Sequence, residues 1–257
     1  MTSNADRRAA SFPLRRARSR PEVEFGHIDG AEAHFWADLW RVLDAGARRV
    51  CDVGGGAKPA LTANQIAKFE IDYVVFDVSA AELGKAPPGY ELVEGDAQRP
   101  EDARRAVGER GPFDLVLSRW TAEHMRDGRA FHTNVFGMLR PGGAAVHLFP
   151  TLYTPPFVVN RMLSEGQSSA LLSRAFPARR VKFPAFYSWC RGPSRKQVRR
   201  LESVGFEVEH YVGFFGHSFY TSVPPLHAAQ RAFTQLLLRA PLPGLTSFGL
   251  VVLRRPG

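Results

Sequence analysis

Apolar positions in this chain fall into short runs separated by stretches with helical spacing. Continuous runs such as Tyr73-Val74-Val75-Phe76 and Leu115-Val116-Leu117 predict strands covered by helices on both faces. Strands are expected near 48–53, 71–77, 90–94, 113–118 and 143–149, with helices near 59–69, 79–85, 99–108 and 128–139 between them. Ahead of these, Phe35, Trp36, Leu39, Trp40 and Leu43 supply one apolar face of a helix from about 28 to 45. Alternation of this kind specifies an α/β fold with a mainly parallel sheet. Pro141-Gly142-Gly143 is expected to end a helix and turn into the fifth strand.

The rhythm breaks at 151–192, which is rich in proline and aromatic residues and reads as a lid or substrate-binding insertion. It resumes at Ser194, a helix cap with Gln197 answering three residues later. A strand near 206–214, a helix near 225–239 and a last strand near 246–254 follow. Residues 1–24, polar and arginine-rich with Pro13 and Pro21, read as a disordered basic tail, leaving 25–257 as a single domain.

The densest chemical signal is Arg49-Val50-Cys51-Asp52-Val53-Gly54-Gly55-Gly56-Ala57-Lys58-Pro59. A strand runs into an aspartate, three glycines and a proline able to open a helix. Glycines let a ligand approach the backbone, and a helix start offers unpaired N–H groups. A triphosphate loop needs a Gly-Lys-Ser/Thr ending, which is absent. A dinucleotide turn needs a third glycine where Pro59 stands. An adenosine-sulfonium cofactor fits better.

Asp52-x-Gly54-x-Gly56 resembles the first motif of the class I S-adenosylmethionine-dependent methyltransferases, with Lys58 departing from its usual third glycine. Val75-Phe76-Asp77-Val78-Ser79, Gly95-Asp96-Ala97, Phe113-Asp114-Leu115-Val116-Leu117-Ser118, Leu139-Arg140-Pro141-Gly142-Gly143 and Gly205-Phe206-Glu207-Val208 resemble its later motifs, in order. The resemblance covers about 48–150 strongly and 194–254 in outline, and is closest to the small-molecule type. It implies a Rossmann-like, doubly wound, seven-stranded sheet with an antiparallel last strand. It also implies S-adenosyl-L-methionine as cofactor, held by Asp52, Gly54, Gly55, Gly56, Asp77, Val78, Asp96, Ala97 and Ser118. In this family Asp77 would hold the ribose hydroxyls and Asp96 the adenine amine. Asp77 lies 21 residues after Gly56, one helix plus one strand, which returns its carboxylate to the neighbouring strand end.

Methyl transfer from a sulfonium relies on alignment, and a base is needed only if the acceptor must lose a proton. His124 and His217 are the candidate bases, each weighed against a structural role, and His147 reads as buried packing. Tyr153, Tyr187 and Trp189 are candidates to line the acceptor pocket. No metal-ligand pattern is present.

Net charge then narrows the partners. The chain of 257 residues carries a formal charge of +9, concentrated in six arginines of residues 1–20 and nine basic side chains of 174–200. Such runs attract nucleic acid, anionic lipid or acidic substrates. Ser118-Arg119-Trp120-Thr121 stands where base-amino methylation uses an Asn/Asp-Pro-Pro-Tyr/Phe turn, so nucleic acid is disfavoured. The expected acceptor is a small molecule, sugar or lipid, with O-methylation favoured and peripheral contact with an anionic membrane as a further expectation. Two cysteines make no disulfide framework, and a reducing cytoplasm is expected. Two alternatives remain: an NAD(P)-dependent oxidoreductase, and a catalytically silent cofactor-binding or interaction protein suggested by Lys58.

Overall fold

The computed structural model describes residues 21–152, 184–217, 220–221 and 224–257. Its core is one eight-stranded sheet. The strands are β1 (Glu22–His27), β2 (Arg49–Val53), β3 (Asp72–Asp77), β4 (Glu91–Glu94), β5 (Phe113–Arg119), β6 (Leu139–Pro150), β7 (Glu207–Phe215) and β8 (Phe248–Arg254). Their order is β1-β7-β8-β6-β5-β2-β3-β4. Only β8 runs antiparallel to its neighbours, β6 and β7. The α-helices are α1 (Ala31–Asp44), α2 (Ala63–Lys68), α3 (Ala80–Leu83), α4 (Pro100–Val107), α5 (Gly128–Met138), α6 (Arg195–Glu202) and α7 (Pro224–Arg239).

The sheet separates two apolar cores. On one face Val53, Phe76, Val116 and Tyr211 pack with Ala106 of α4, Phe131 and Val135 of α5, and Leu201 of α6. On the other, Val50, Val75, Leu117 and Val146 pack with Phe35, Leu39 and Leu43 of α1 and Leu83 of α3. Alternate residues of each strand thus face opposite cores, which explains the unbroken apolar runs. The chain winds outward from β2 through β3 to β4, then returns to place β5 on the other side of β2. Open α/β sheets bind ligands at the carboxyl ends of strands beside such a reversal.

Five expectations change. The sheet has an eighth strand. Residues 22–24, assigned to the tail, belong to β1, which pairs in parallel with β7 from Glu22 opposite His210 to His27 opposite Phe215. Phe25 anchors it by stacking on Phe215, with ring centroids 5.6 Å apart. A half-exposed edge strand of six residues among charges gives little periodic signal. Residues 1–20 lie outside the described residues.

Pro59 does not open a helix. α2 begins at Ala63 behind Thr62, whose side chain and that of Gln65 form a capping box.

Pro141-Gly142-Gly143 lies inside β6, after α5 has ended at Met138. The register with β5 shifts there, and Gly142 takes φ +77°. A Cβ on Gly143 would stand 2.9 Å from the Arg140 carbonyl oxygen, so this is a glycine bulge rather than a preceding turn.

Ser194 caps α6 as expected. Gln197 is diverted, however, and its Nε2 donates to the Trp189 carbonyl at 2.5 Å. Most of the segment expected to form a lid, 153–183, lies outside the described residues, Tyr153 included. Residues 184–192 form an ordered loop against the core, where the Phe186 and Tyr187 amides donate to the Glu123 carbonyl at 2.8 and 2.9 Å.

Candidate active site

A cavity of about 450 Å³ opens at the carboxyl ends of β2, β3, β4 and β5. That volume suits a small-molecule ligand. Its floor is the turn after β2, running from Asp52 to Lys58. Gly54 takes φ +79° and Gly56 φ +40°, a region unfavourable for residues with a Cβ. Space imposes the same requirement. A Cβ on Gly54 would lie 2.2 Å from Thr121 Oγ1, one on Gly55 2.7 Å from Asp52 Oδ2, and one on Gly56 3.0 Å from Asp77 Oδ2. Gly55 and Gly56 bring bare backbone against the two carboxylates, and Gly54 against Thr121.

Asp52 is 2% exposed. Its Oδ2 accepts the Tyr73 hydroxyl at 2.7 Å and the Ala60 amide at 2.8 Å, tying the turn at both ends. Burial pushes its carboxyl up to about 6, against the pull of these donors and of Arg119. Asp77 sits at the end of β3. Its Oδ1 accepts the Ser79 amide at 2.9 Å, and partial burial raises its carboxyl above the ordinary range. Beside it, Val78 leaves 62% of its surface exposed. Asp96 and Ala97 line the same wall. Asp96 Oδ1 accepts both the amide and Nε2 of Gln98, at 2.9 and 3.0 Å, fixing the carboxylate toward the cavity rim.

The opposite wall follows β5 and comprises Arg119, Trp120, Thr121, His124 and Met125. Trp120 has φ +58°, a strained value for a bulky residue. Three contacts hold it there: its amide donates to Leu148 O at 2.9 Å, its Nε1 to Glu32 Oε1 at 3.2 Å, and its ring meets Phe248 edge-on at 5.2 Å. Strain so over-determined is characteristic of functional sites. Arg119 donates to Glu32 Oε2 at 3.2 Å and lies over the Trp36 ring, 5.5 Å from its centroid. His124 Nδ1 lies 2.9 Å from the Pro184 carbonyl oxygen. A carbonyl only accepts, so Nδ1 carries the proton and the lone pair of a neutral ring sits on Nε2.

Eight of the nine sequence-derived cofactor residues therefore share one cavity. Ser118 does not line it. It is fully buried, with its Oγ 2.8 Å from His147 Nδ1. Strand alternation accounts for this, because Ser118 and Arg119 point to opposite faces. His217 also lies off the cavity lining, beyond β7, with its ring edge-on to Tyr220 at 4.7 Å. Tyr187 is buried in the core, and Trp189 stacks on His132 at 5.8 Å; neither lines the cavity. His147 is fully buried, as expected. Sequence reading missed Tyr73, Thr121, Trp120 and Gln98. The last three sit within three residues of motifs already singled out, and that proximity was the available signal.

A family model described as a methyltransferase domain matches residues 2–211. The chain belongs to the methyltransferase family. Its class I S-adenosylmethionine-dependent type agrees with the sheet order and the glycine turn. An uncharacterised methyltransferase of Mycobacterium sp. strain JLS is 32% identical over 147 residues, covering 54% of each chain. A second, from strain KMS, is 31% identical over 142 residues, again covering 54% of each. The chain thus spans about half the length of the curated relatives it matches. Among solved structures, a SAM-dependent methyltransferase from Archaeoglobus fulgidus shares the fold with a TM-score of 0.52 at 15% identity, over 87% of this methyltransferase and 94% of that one. Phosphoethanolamine N-methyltransferase 2 of Haemonchus contortus aligns with a TM-score of 0.50 at 15% identity, over 88% of this chain and 53% of that one.

Proposed function

We propose that this methyltransferase moves a methyl group from S-adenosylmethionine to a small-molecule, sugar or lipid acceptor, with O-methylation as its chemistry. The observation that carries the reading is the convergence of the glycine turn, Asp77 and Asp96 on one wall of a single cavity, with Arg119 to Met125 on the other. The residues present fit the cofactor. The floor is a cradle that a Cβ would fill, Asp77 Oδ2 faces it, and the exposed Val78 offers an apolar surface for a base. Asp77 would accept the ribose hydroxyls, Asp96 the adenine amine, and Asp52 would balance the methionyl ammonium. The bound sulfonium supplies an electrophilic methyl group.

This chain contributes alignment, worth up to roughly 7–11 kcal/mol in favourable cases. The acceptor enters against Trp120, Thr121 and His124. With Nδ1 held by Pro184, His124 Nε2, which lies 3.8 Å from Glu123 Oε1, is the atom suited to take a proton from an acceptor hydroxyl, and the Glu123 carboxylate would favour the imidazolium so formed. His217 is displaced from this role by its position off the cavity lining. Family membership sets the dinucleotide-dependent alternative aside. The silent-protein alternative falls if any acceptor is methylated. Cytoplasmic residence belongs to the same proposal, and among the described residues no helix is long and apolar enough to cross a membrane.

The test is incubation with methyl-labelled S-adenosylmethionine and separated polar-metabolite, lipid and RNA fractions of a bacterial extract. Label in a polar or lipid product supports the reading, and a methyl group located on oxygen by NMR of the purified product supports O-methylation. Label confined to RNA, or none with cofactor bound, contradicts it. His124→Ala is expected to keep cofactor affinity and lose turnover by about 10²–10⁴-fold.

A further inference from the structure

Exposed apolar side chains concentrate in one segment. Of the eight large apolar residues exposed among the described residues, five lie between 226 and 245: Leu226, Phe233, Leu236, Leu242 and Leu245. The first three belong to α7, and Leu242 and Leu245 to the turn beyond it. Along α7, Leu226, Ala229, Phe233 and Leu236 follow at steps of three and four, so they form one stripe along the helix. Within the helix only Thr234 and Leu237 are buried. The stripe is therefore additional to the face that packs on the sheet. Stripes of this kind on an otherwise polar surface mark interaction sites.

Charge identifies the occupant. Arg231, Gln235 and Arg239 repeat at steps of four along the neighbouring polar face, and all three are exposed. From His210 to Gly257 the chain contains no aspartate or glutamate. A helix with aliphatic and aromatic residues on one side and uncompensated arginines on the other matches the geometry of a segment lying in a lipid interface. Anionic headgroups neutralise the arginines while the stripe enters the acyl boundary.

We infer that α7 and the following turn dock the protein peripherally on an anionic membrane surface. None of these residues lines the cavity. α7 follows the carboxyl end of β7, so its first turn starts from the same edge of the sheet that carries the cavity. Docking through α7 would hold that edge near the lipid.

Co-sedimentation of the full chain with vesicles tests this. Vesicles of phosphatidylcholine alone are compared with vesicles of phosphatidylcholine and phosphatidylglycerol, at low and high salt. Retention by the anionic vesicles at low salt, reduced at least tenfold on neutral vesicles, is expected. Phe233→Asp with Leu236→Asp should abolish retention, and Arg231→Gln with Arg239→Gln should weaken it on anionic vesicles only. All four positions are exposed, and the arginine variant keeps the test valid if the other fails to fold. Equal retention of both variants and the parent chain would overturn the inference. So would absence of retention, or a concentration-dependent dimer in sedimentation velocity that Phe233→Asp with Leu236→Asp dissolves.

Discussion

The Tyr73 hydroxyl donates to Asp52 Oδ2 at 2.7 Å, on an oxygen that also accepts the Ala60 amide. β3 thereby holds the residue that shapes the glycine turn of β2, and the turn holds the start of the following loop. Tyr73→Phe removes one donor from a buried carboxylate without removing the ring. A hydrogen bond to a charged group is worth about 1.5–3 kcal/mol, so urea denaturation should show a loss of that order. An unchanged midpoint would detach Tyr73 from the turn.

The proposed role of Asp52 beside the methionyl ammonium predicts a pH dependence of cofactor binding. With its carboxyl near 6 in the folded protein, Asp52 is ionised above that pH and neutral below it. A neutral Asp52 has no charge to offer an ammonium group. Affinity for S-adenosylmethionine should therefore rise with pH through about 6 and level off near neutrality. Tyr73→Phe should move the midpoint upward, because a lost donor disfavours the charged form further. A flat affinity profile from pH 5 to 8 would exclude Asp52 from ammonium contact.

The glycine turn has little tolerance. Gly54→Ala combines a φ of +79° with a Cβ placed 2.2 Å from Thr121 Oγ1. Strain of about 1–2 kcal/mol from the backbone adds to the clash. Cofactor binding should weaken more than tenfold, measured by calorimetry. Gly244→Ala, in the turn after α7 where a Cβ meets nothing within 4 Å, should leave binding unchanged.

The sequence made the cofactor wall legible because its residues sit at strand ends, where a chain position and a fold position coincide. Gly54 and Asp77 close strands with apolar runs, Asp96 follows the short strand Glu91–Glu94 by two residues, and their spacing carries the geometry. The acceptor wall was less legible. Ser118 was chosen by its motif, yet alternation along β5 turns it into the core and exposes Arg119 instead. Trp120 reaches the cavity through a positive φ that no periodicity announces. β1 escaped because a six-residue edge strand buries too little to pattern its sequence. Pro141-Gly142-Gly143 misled because the same residues serve a turn or a bulge, and only the register with β5 distinguishes them.

A second pH effect concerns stability rather than binding. His210 Nδ1 of β7 lies 3.0 Å from Asp38 Oδ2 of α1, and its Nε2 lies 3.4 Å from Glu24 of β1. The hydrogen bond with Asp38 raises the imidazole above its ordinary value. Burial opposes ionisation of Asp38, but the hydrogen bond and charge of His210, with Arg41, bring its carboxyl below the usual range. The imidazole's contribution is full below its unfolded value of about 6.5 and disappears as pH rises through the higher folded value. The carboxylate's contribution is present above about 3.9 and is lost as pH falls through the lower folded value. The pair therefore stabilises the fold most between about pH 4 and 6.5. His210→Gln should lower the melting temperature by several degrees at pH 5.5 and by clearly less at pH 8.5. An equal loss at both values would show that the charge pair contributes nothing.

The central claim is that the cavity at the ends of β2 to β5 holds S-adenosylmethionine through Asp77. Isothermal titration calorimetry of the parent chain and Asp77→Ala, each with S-adenosylmethionine and with NAD, tests it most directly. One-site binding of S-adenosylmethionine is expected, with no heat from NAD. Asp77→Ala should bind about tenfold more weakly, about 1.4 kcal/mol. No heat with S-adenosylmethionine, or the same affinity in Asp77→Ala, would contradict the assignment.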